Sequence, residues 1–307
     1  MARYLLQRLI LIPLGLLLAN FLGFAFAYYV GPIQTARNPY AFGGFSLPPL
    51  IPEYLSYLNQ IVHLNFGTMP NGEPILAVIL RSSLASFWLL LLALTAGIVV
   101  GLPMGISAVR TTPLKVSSWL TGIVTIGLAS PSYYIGILLI AFSIIYVIWG
   151  PDSISLLPFQ GYGIDAHLIL PTITLMVLPT VKIAQITSGM LVDEMGKQYV
   201  VAARSFGHSV RSIRGRLAFR NILAPVVITI AASLRIMVAE LIIVERLFDW
   251  PGIGRLFSST LVLTSRSNNL LFPPLVAAMI TMLAAVFLLT DLISGILTRK
   301  FDPRLAS

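Results

Sequence analysis

The sequence predicts an all-α integral membrane protein with six membrane-crossing helices and a long basic loop between the fourth and the fifth. Three observations carry that reading. Only 10% of the residues are charged while 57% are hydrophobic, whereas a water-soluble domain carries roughly 25% charged residues. The apolar residues fall into runs of about 20, the length that crosses bilayer hydrocarbon as a helix, and mean hydropathy is +0.91. The charges gather between those runs rather than inside them.

The first run, Leu5–Val30, is too long for the ~7–15-residue core of a secretory signal and lacks a clear small-residue cleavage site. It is therefore expected to stay as the first span, over residues 1–30. Residues 31–82 form an expected external segment. Within it Ile51–Phe66 places Ile51, Leu55, Leu58, Ile61, Val62 and Leu64 close to a helical stripe. At about 16 residues it is short for a span, so a helix lying on the membrane surface is expected. The second span is Ala85–Ala108. The third, Val116–Trp149, is too long for one straight crossing, and Pro131 predicts a break because proline removes a donor and clashes with the preceding turn. Leu168–Thr187 is the fourth span, expected to be irregular at Pro171 and Pro179; such breaks survive where neighbours satisfy the freed groups. Ile222–Val244 and Pro273–Leu297 complete a membrane core over residues 83–297, with 298–307 as a tail.

Charge asymmetry then predicts orientation. One set of connections holds Arg3, Arg8, Arg110, Lys115, Lys197, Arg204, Arg211, Arg214, Arg216, Arg220, Arg299, Lys300 and Arg304. The opposite set holds Arg37, Arg81, Arg246, Arg255 and Arg266, offset by Glu53, Glu73, Asp152, Asp165, Glu245 and Asp249. Both termini and the loop are expected on the cytoplasmic side, with Lys182 reaching from the fourth span to that interface. The net charge of +9 is thereby assigned to topology and the lipid bilayer rather than to nucleic acid.

The loop, residues 188–221, is far longer than the ~2–8 residues usual between packed helices. It reads as a short helix from about Lys197 to Phe206, a stop at Gly207, and a basic amphipathic helix around Ser209–Arg220. The second helix would put Val210, Ile213 and Leu217 on one stripe.

Several chemistries are excluded. The chain has no cysteine, which removes disulfides, thiolate catalysis and cysteine-bound metal. His63, His167 and His208 have no metal-ligand spacing, so no metal site is expected. No G-x-S-x-G or H-E-x-x-H signature occurs, and no pair of catalytic carboxylates is evident. Gly196-Lys197-Gln198 lacks the hydroxyl and the upstream glycine of a P-loop, so no nucleotide site is expected on this chain.

The loop residues Ala202-Ala203, Gly207, Phe219-Arg220-Asn221 and Pro225 resemble the EAA loop of ATP-binding-cassette importer permeases. The likeness is nearer to the dipeptide, oligopeptide and nickel permeases, with A-R-x-x-G followed by L-R-N-x-x-x-P. Glu245 to Gly254 resembles that family's E-x-x-F-x-W-P-G-[LI]-G segment, Phe301-Asp302-Pro303-Arg304 its D-P-R tail, and Tyr57 to Gly67 the stretch before its second span. Val201 stands where the general motif has glutamate, Leu217 where histidine is common and Phe219 where leucine is usual.

The resemblance implies a type I importer fold whose coupling helix seats in a cytoplasmic ATPase. It also implies a homologous second permease, two nucleotide-binding subunits carrying ATP and Mg, and an extracytoplasmic substrate-binding protein, in a prokaryotic inner membrane. Ala202, Ala203 and Gly207 are then expected to allow close approach, and Arg204, Phe206, Arg211 and Arg214 to make contact, with Asn221 part of the loop motif. Trp250, Pro251, Gly252 and Gly254 are expected to form an external gate or a turn, with Trp250 at the membrane interface.

Arg235 and Glu240 lie within the fifth span, where charges face a cavity or a partner. Five residues apart, they project about 140° from each other on an ideal helix and should not pair. They are expected either to bond a neighbouring subunit or snorkel, or to line a translocation path; Asp291 reads as structural. An ion-coupled transporter working without an ATPase is the competing reading of the same spans.

Overall fold

A computed structural model describes residues 2–35, 48–63, 65–69, 71–150, 157–261 and 271–301. Leu64, Arg37, Asp152, Arg266 and the Asp302-Pro303-Arg304 tail lie outside the described residues. The described chain is almost wholly helical: α1 (Ala2–Thr35), α2 (Leu50–Val62), α3 (Ile75–Ser107), then a hairpin of β1 (Val109–Thr111) and β2 (Leu114–Val116). It continues through α4 (Ser118–Ala129), α5 (Ser132–Trp149), a 3-10 turn at Ala166–Leu168, α6 (Ile169–Met195) and α7 (Gln198–Ser205). The remainder is α8 (Val210–Ser212), a π-helical segment (Ile213–Ala218), α9 (Phe219–Asn221), α10 (Leu223–Leu247), α11 (Ile253–Leu261) and α12 (Pro273–Phe301).

Among the described residues six helices are long and apolar enough to cross a membrane: α1, α3, α5, α6 with its preceding turn, α10 and α12. The expected third span is two helices. Ser130 and Pro131 are both extended, and Pro131 stands immediately before α5, where its fixed φ and missing N–H cost little. The fourth differs from expectation in the other direction, since α6 runs unbroken from Ile169 to Met195. Pro171 sits in its first turn, where N–H groups have no intrahelical partner anyway, and Pro179 is accommodated within the helix. Two further ends move. α3 begins at Ile75 rather than Ala85, which puts Arg81 inside the helix, and α12 continues through Phe301 into the expected tail.

The chain forms two compact units, Met1–Phe87 with Asp249–Leu289, and Trp88–Phe248 with Thr290–Ser307. In the first, α2 buries Tyr54 and Tyr57 against Phe24 of α1, with ring centroids 5.4 and 5.0 Å apart. Asn20 of α1 donates to Thr281 Oγ1 at 2.9 Å and accepts from the Tyr54 hydroxyl at 3.1 Å. A satisfied polar group of this kind fixes one helix register among apolar neighbours. The expected apolar stripe of α2 is divided: Leu58 and Ile61 pack beside those rings, while Ile51, Leu55 and Val62 are exposed.

In the second unit α6 is the central helix, packed by α4, α5 and α10. α3 approaches α6 through Gly97, Gly101 and Gly105. A methyl group at Gly101 would lie 2.8 Å from the Thr180 carbonyl oxygen, and one at Gly105 2.7 Å from that of Ala184. Only glycine permits such backbone contact, which is how small residues spaced by four associate helices in lipid.

Candidate functional site: the loop between α6 and α10

The loop folds as a compact knob because both of its helical parts bury one face. Val200 and Ala203 of α7, with Ile213, Ala218 and Ile222, join Leu191 and Val109 in one apolar cluster. Ala203 is thus turned inward, while Ala202, Arg204 and Arg211 are exposed. The expected stripe Val210–Ile213–Leu217 is corrected at its last member. A π turn inserts one extra residue per repeat, so Ala218 takes the buried place and Leu217 is 42% exposed.

Gly207 ends α7 as expected, at φ +84°. Its N–H reaches the Arg204 carbonyl at 2.9 Å, and the His208 N–H reaches that of Ala203 at 3.1 Å. A Cβ there would meet nothing within 4 Å, so backbone conformation rather than crowding selects glycine. Beside it Phe206 is 85% exposed. The bend therefore presents an aromatic ring and open space.

The base of the loop is bonded to α6. Glu194, 6% exposed, accepts from Lys197 Nζ at 2.5 Å, Asn221 Nδ2 at 2.7 Å and the Tyr199 hydroxyl at 3.1 Å. Burial first, and then the Glu194 carboxylate, push the Tyr199 phenol above its ordinary pKa, which keeps it a donor. Arg214 Nη1 donates to the Val109 carbonyl at 3.0 Å and ties the loop to the β1–β2 hairpin. Arg110 Nε in turn donates to Ser117 Oγ at 3.2 Å. Arg214, one of the expected contact residues, and Asn221 of the loop motif are thus engaged within the chain.

The charges within α10 find partners in the same chain. Arg235 pairs with Asp291 of α12 at 3.2 Å and donates to Ser294 Oγ at 3.4 Å. Glu240 accepts from the Ser132 hydroxyl in the first turn of α5. As their angular separation predicts, Arg235 and Glu240 bond different partners.

Trp250 does not anchor at an interface; it is 1% exposed. Its indole N–H donates to the Ala85 carbonyl at 3.1 Å, giving the buried polar edge a partner. After Pro251 and the buried Gly252, the Ile253 N–H of α11 reaches Ser86 Oγ at 2.9 Å, and Gly254 is buried in the same turn. Asp249 at φ +57° pairs with Arg255 at 2.7 Å. This segment is a packed turn.

Among the described residues no cluster of three His, Asp or Glu could hold a metal ion. Sequence reasoning missed Glu194, whose signal was an acidic residue three before Lys197 at the end of an apolar run. It also missed the Gly97–Gly101–Gly105 spacing, which is visible in the sequence as a repeated G-x-x-x-G.

Residues 97–306 match the family described as binding-protein-dependent transport system inner membrane component. The chain belongs to that family. A dipeptide transport system permease, DppB of Lactococcus lactis, is 27% identical over 99% of both chains. The oligopeptide permease AppB of Bacillus subtilis is 25% identical over 84% of this chain and 81% of its own. SapB of Escherichia coli K12, named a putrescine export system permease, is 27% identical over 81% of this chain and 83% of its own. The protein is accordingly a multi-pass permease subunit of a transport system, a transport component and not an enzyme.

Proposed function

We propose that this permease supplies half of the pathway of an ATP-driven importer, with peptides as cargo, and that the loop between α6 and α10 is its ATPase-coupling element. The carrying observation is the geometry of that loop: a base bonded to α6 through Glu194 and a bend that exposes Phe206 beside Gly207. Closure of two ATPase subunits on ATP and Mg pushes the bend, and a stiff base delivers the push to α6 and the helices around it, a lever between bistable assemblies. Phe206 is the apolar anchor for the ATPase, with Arg204 as a charged contact beside it. A homologous permease completes the pathway, and a substrate-binding protein delivers cargo to the opposite face.

Orientation follows from the basic residues of the loop: both termini cytoplasmic, the segment between α1 and α3 and the connection before α6 outside, in a prokaryotic inner membrane. The peptide assignment draws support from the names of DppB and AppB. Arg235 and Glu240 line the path and favour zwitterionic cargo; wild-type uptake of all substrates by Arg235→Ala and Glu240→Ala would remove them from it.

The first test is gentle extraction of the tagged chain from native membranes. Recovery with a P-loop ATPase and a second six-span permease supports the reading; recovery alone across mild detergents would return the loop to a topology signal. In reconstituted vesicles, Gly207→Trp is expected to leave ATP hydrolysis in place and lower uptake about tenfold or more. Uptake that persists without ATP under an ion gradient would favour the ion-coupled alternative.

A further inference from the structure

The last turns of α3 and the segment Ser209–Arg216 line a cleft of about 770 Å3. Its lining combines Arg211, Arg214 and Arg216 with Pro103 and Ile106 of α3 and with Ser209, and no acidic residue among the described ones lines it. Arg214 is held there by the Val109 carbonyl, yet its Nε is buried without a hydrogen-bond partner. Three arginines line this one cleft, and arginine forks bind phosphate oxygens with defined geometry.

We infer that this cleft is a binding site for the phosphate headgroup of an anionic phospholipid, with the lipid's apolar part resting on Pro103 and Ile106. Its place in the fold favours lipid over protein. α3 crosses the membrane and the cleft is at its loop-proximal end, the headgroup level, where basic pockets between spans recognise anionic lipid. Two of its lining residues are apolar side chains of that spanning helix. The exposed aromatic suited to a protein partner, Phe206, does not line the cleft. A bound headgroup bridges α3 to the coupling loop, so the position of the loop becomes responsive to the anionic lipid content of the bilayer. The headgroup-level placement rests on the permease reading above; lipid binding is measured on the chain alone, so its failure is separate from any failure of ATP-driven transport.

The test titrates the full-length chain, in dodecyl maltoside micelles, with phosphatidylglycerol carrying a fluorescent acyl chain. Saturable binding is expected, and the Arg211→Gln/Arg216→Gln pair should weaken it about tenfold or more, since each arginine near an anionic surface contributes several-fold. The Arg204→Gln/Arg220→Gln pair removes the same charge outside the cleft and should change affinity by less than about threefold. If the first pair does not yield folded protein, Arg216→Gln alone should weaken binding about fivefold. Unlabelled phosphatidylglycerol should compete and phosphatidylcholine should not. Equal weakening by both pairs would reduce the effect to a diffuse basic surface. Displacement by millimolar inorganic phosphate would assign the cleft to free anions. Displacement by a poly-glutamate peptide at lower concentration than phosphatidylglycerol would assign it to a protein partner.

Discussion

At the base of the loop a carboxylate only 6% exposed, Glu194, gathers Lys197, Tyr199 and Asn221 around it, whereas at the bend Phe206 is 85% exposed beside a glycine with open space around it. The two regions lie at opposite ends of α7, yet they are made of opposite materials. Buried polar bonds are costly to break and hold geometry; an exposed aromatic contributes little to folding and much to an interface. The difference teaches how a short segment can be both rigid and ready to bind.

The largest effect should come from the base. Glu194→Ala removes the acceptor shared by three donors and is expected to destabilise the protein by about 3 kcal/mol, read as a lower denaturation midpoint and loss of ATPase association together. An unchanged midpoint would break the comparison. Gly207→Ala should cost about 1 kcal/mol, because a Cβ is strained at φ +84° although nothing crowds it. Phe206→Ala should leave stability within about 0.5 kcal/mol while weakening ATPase association at least about tenfold; a matching loss of stability would mean the ring packs within the chain. The smallest effect lies outside the loop. Asp165 caps the turn before α6, and the His167 backbone N–H, then its side chain, hold the Asp165 carboxyl below its usual range. That cap is fully present above the ordinary carboxylate pKa and is lost as pH falls through the lowered one, which amide exchange at residues 166–168 would follow.

The base and the bend were not equally legible. Gly207 announced itself, since a glycine after a short helical run carries its own backbone signal, and Pro131 likewise marked the break between α4 and α5. The apolar runs located the spans, although the ends of α3, α6 and α12 slid because nothing local stops a helix at Ala85, Thr187 or Leu297. The Glu194 cluster showed only its local half, Lys197 three residues on: its other partner Asn221 is 27 residues away, and no periodic pattern records such a pairing. Arg235 with Asp291 is hidden for the same reason across α10 and α12. The π segment escaped because one added residue moves Ala218 into the core and Leu217 out of it, and composition does not register that shift. The β1–β2 hairpin is equally obscure, being two three-residue strands around Thr112-Pro113 that only acquire importance when Arg214 binds Val109.

The glycine contacts of α3 carry a mechanical consequence for the same loop. Between most helices a layer of side chains acts as a cushion that can change rotamer and absorb a shift. At Gly101 and Gly105 that cushion is missing, and main chain rests directly on the main chain of α6. Packed interfaces of this density do not deform smoothly, so a sub-ångström displacement entering α6 from the loop has no slack in which to dissipate. It reaches α3 as motion of a whole helix.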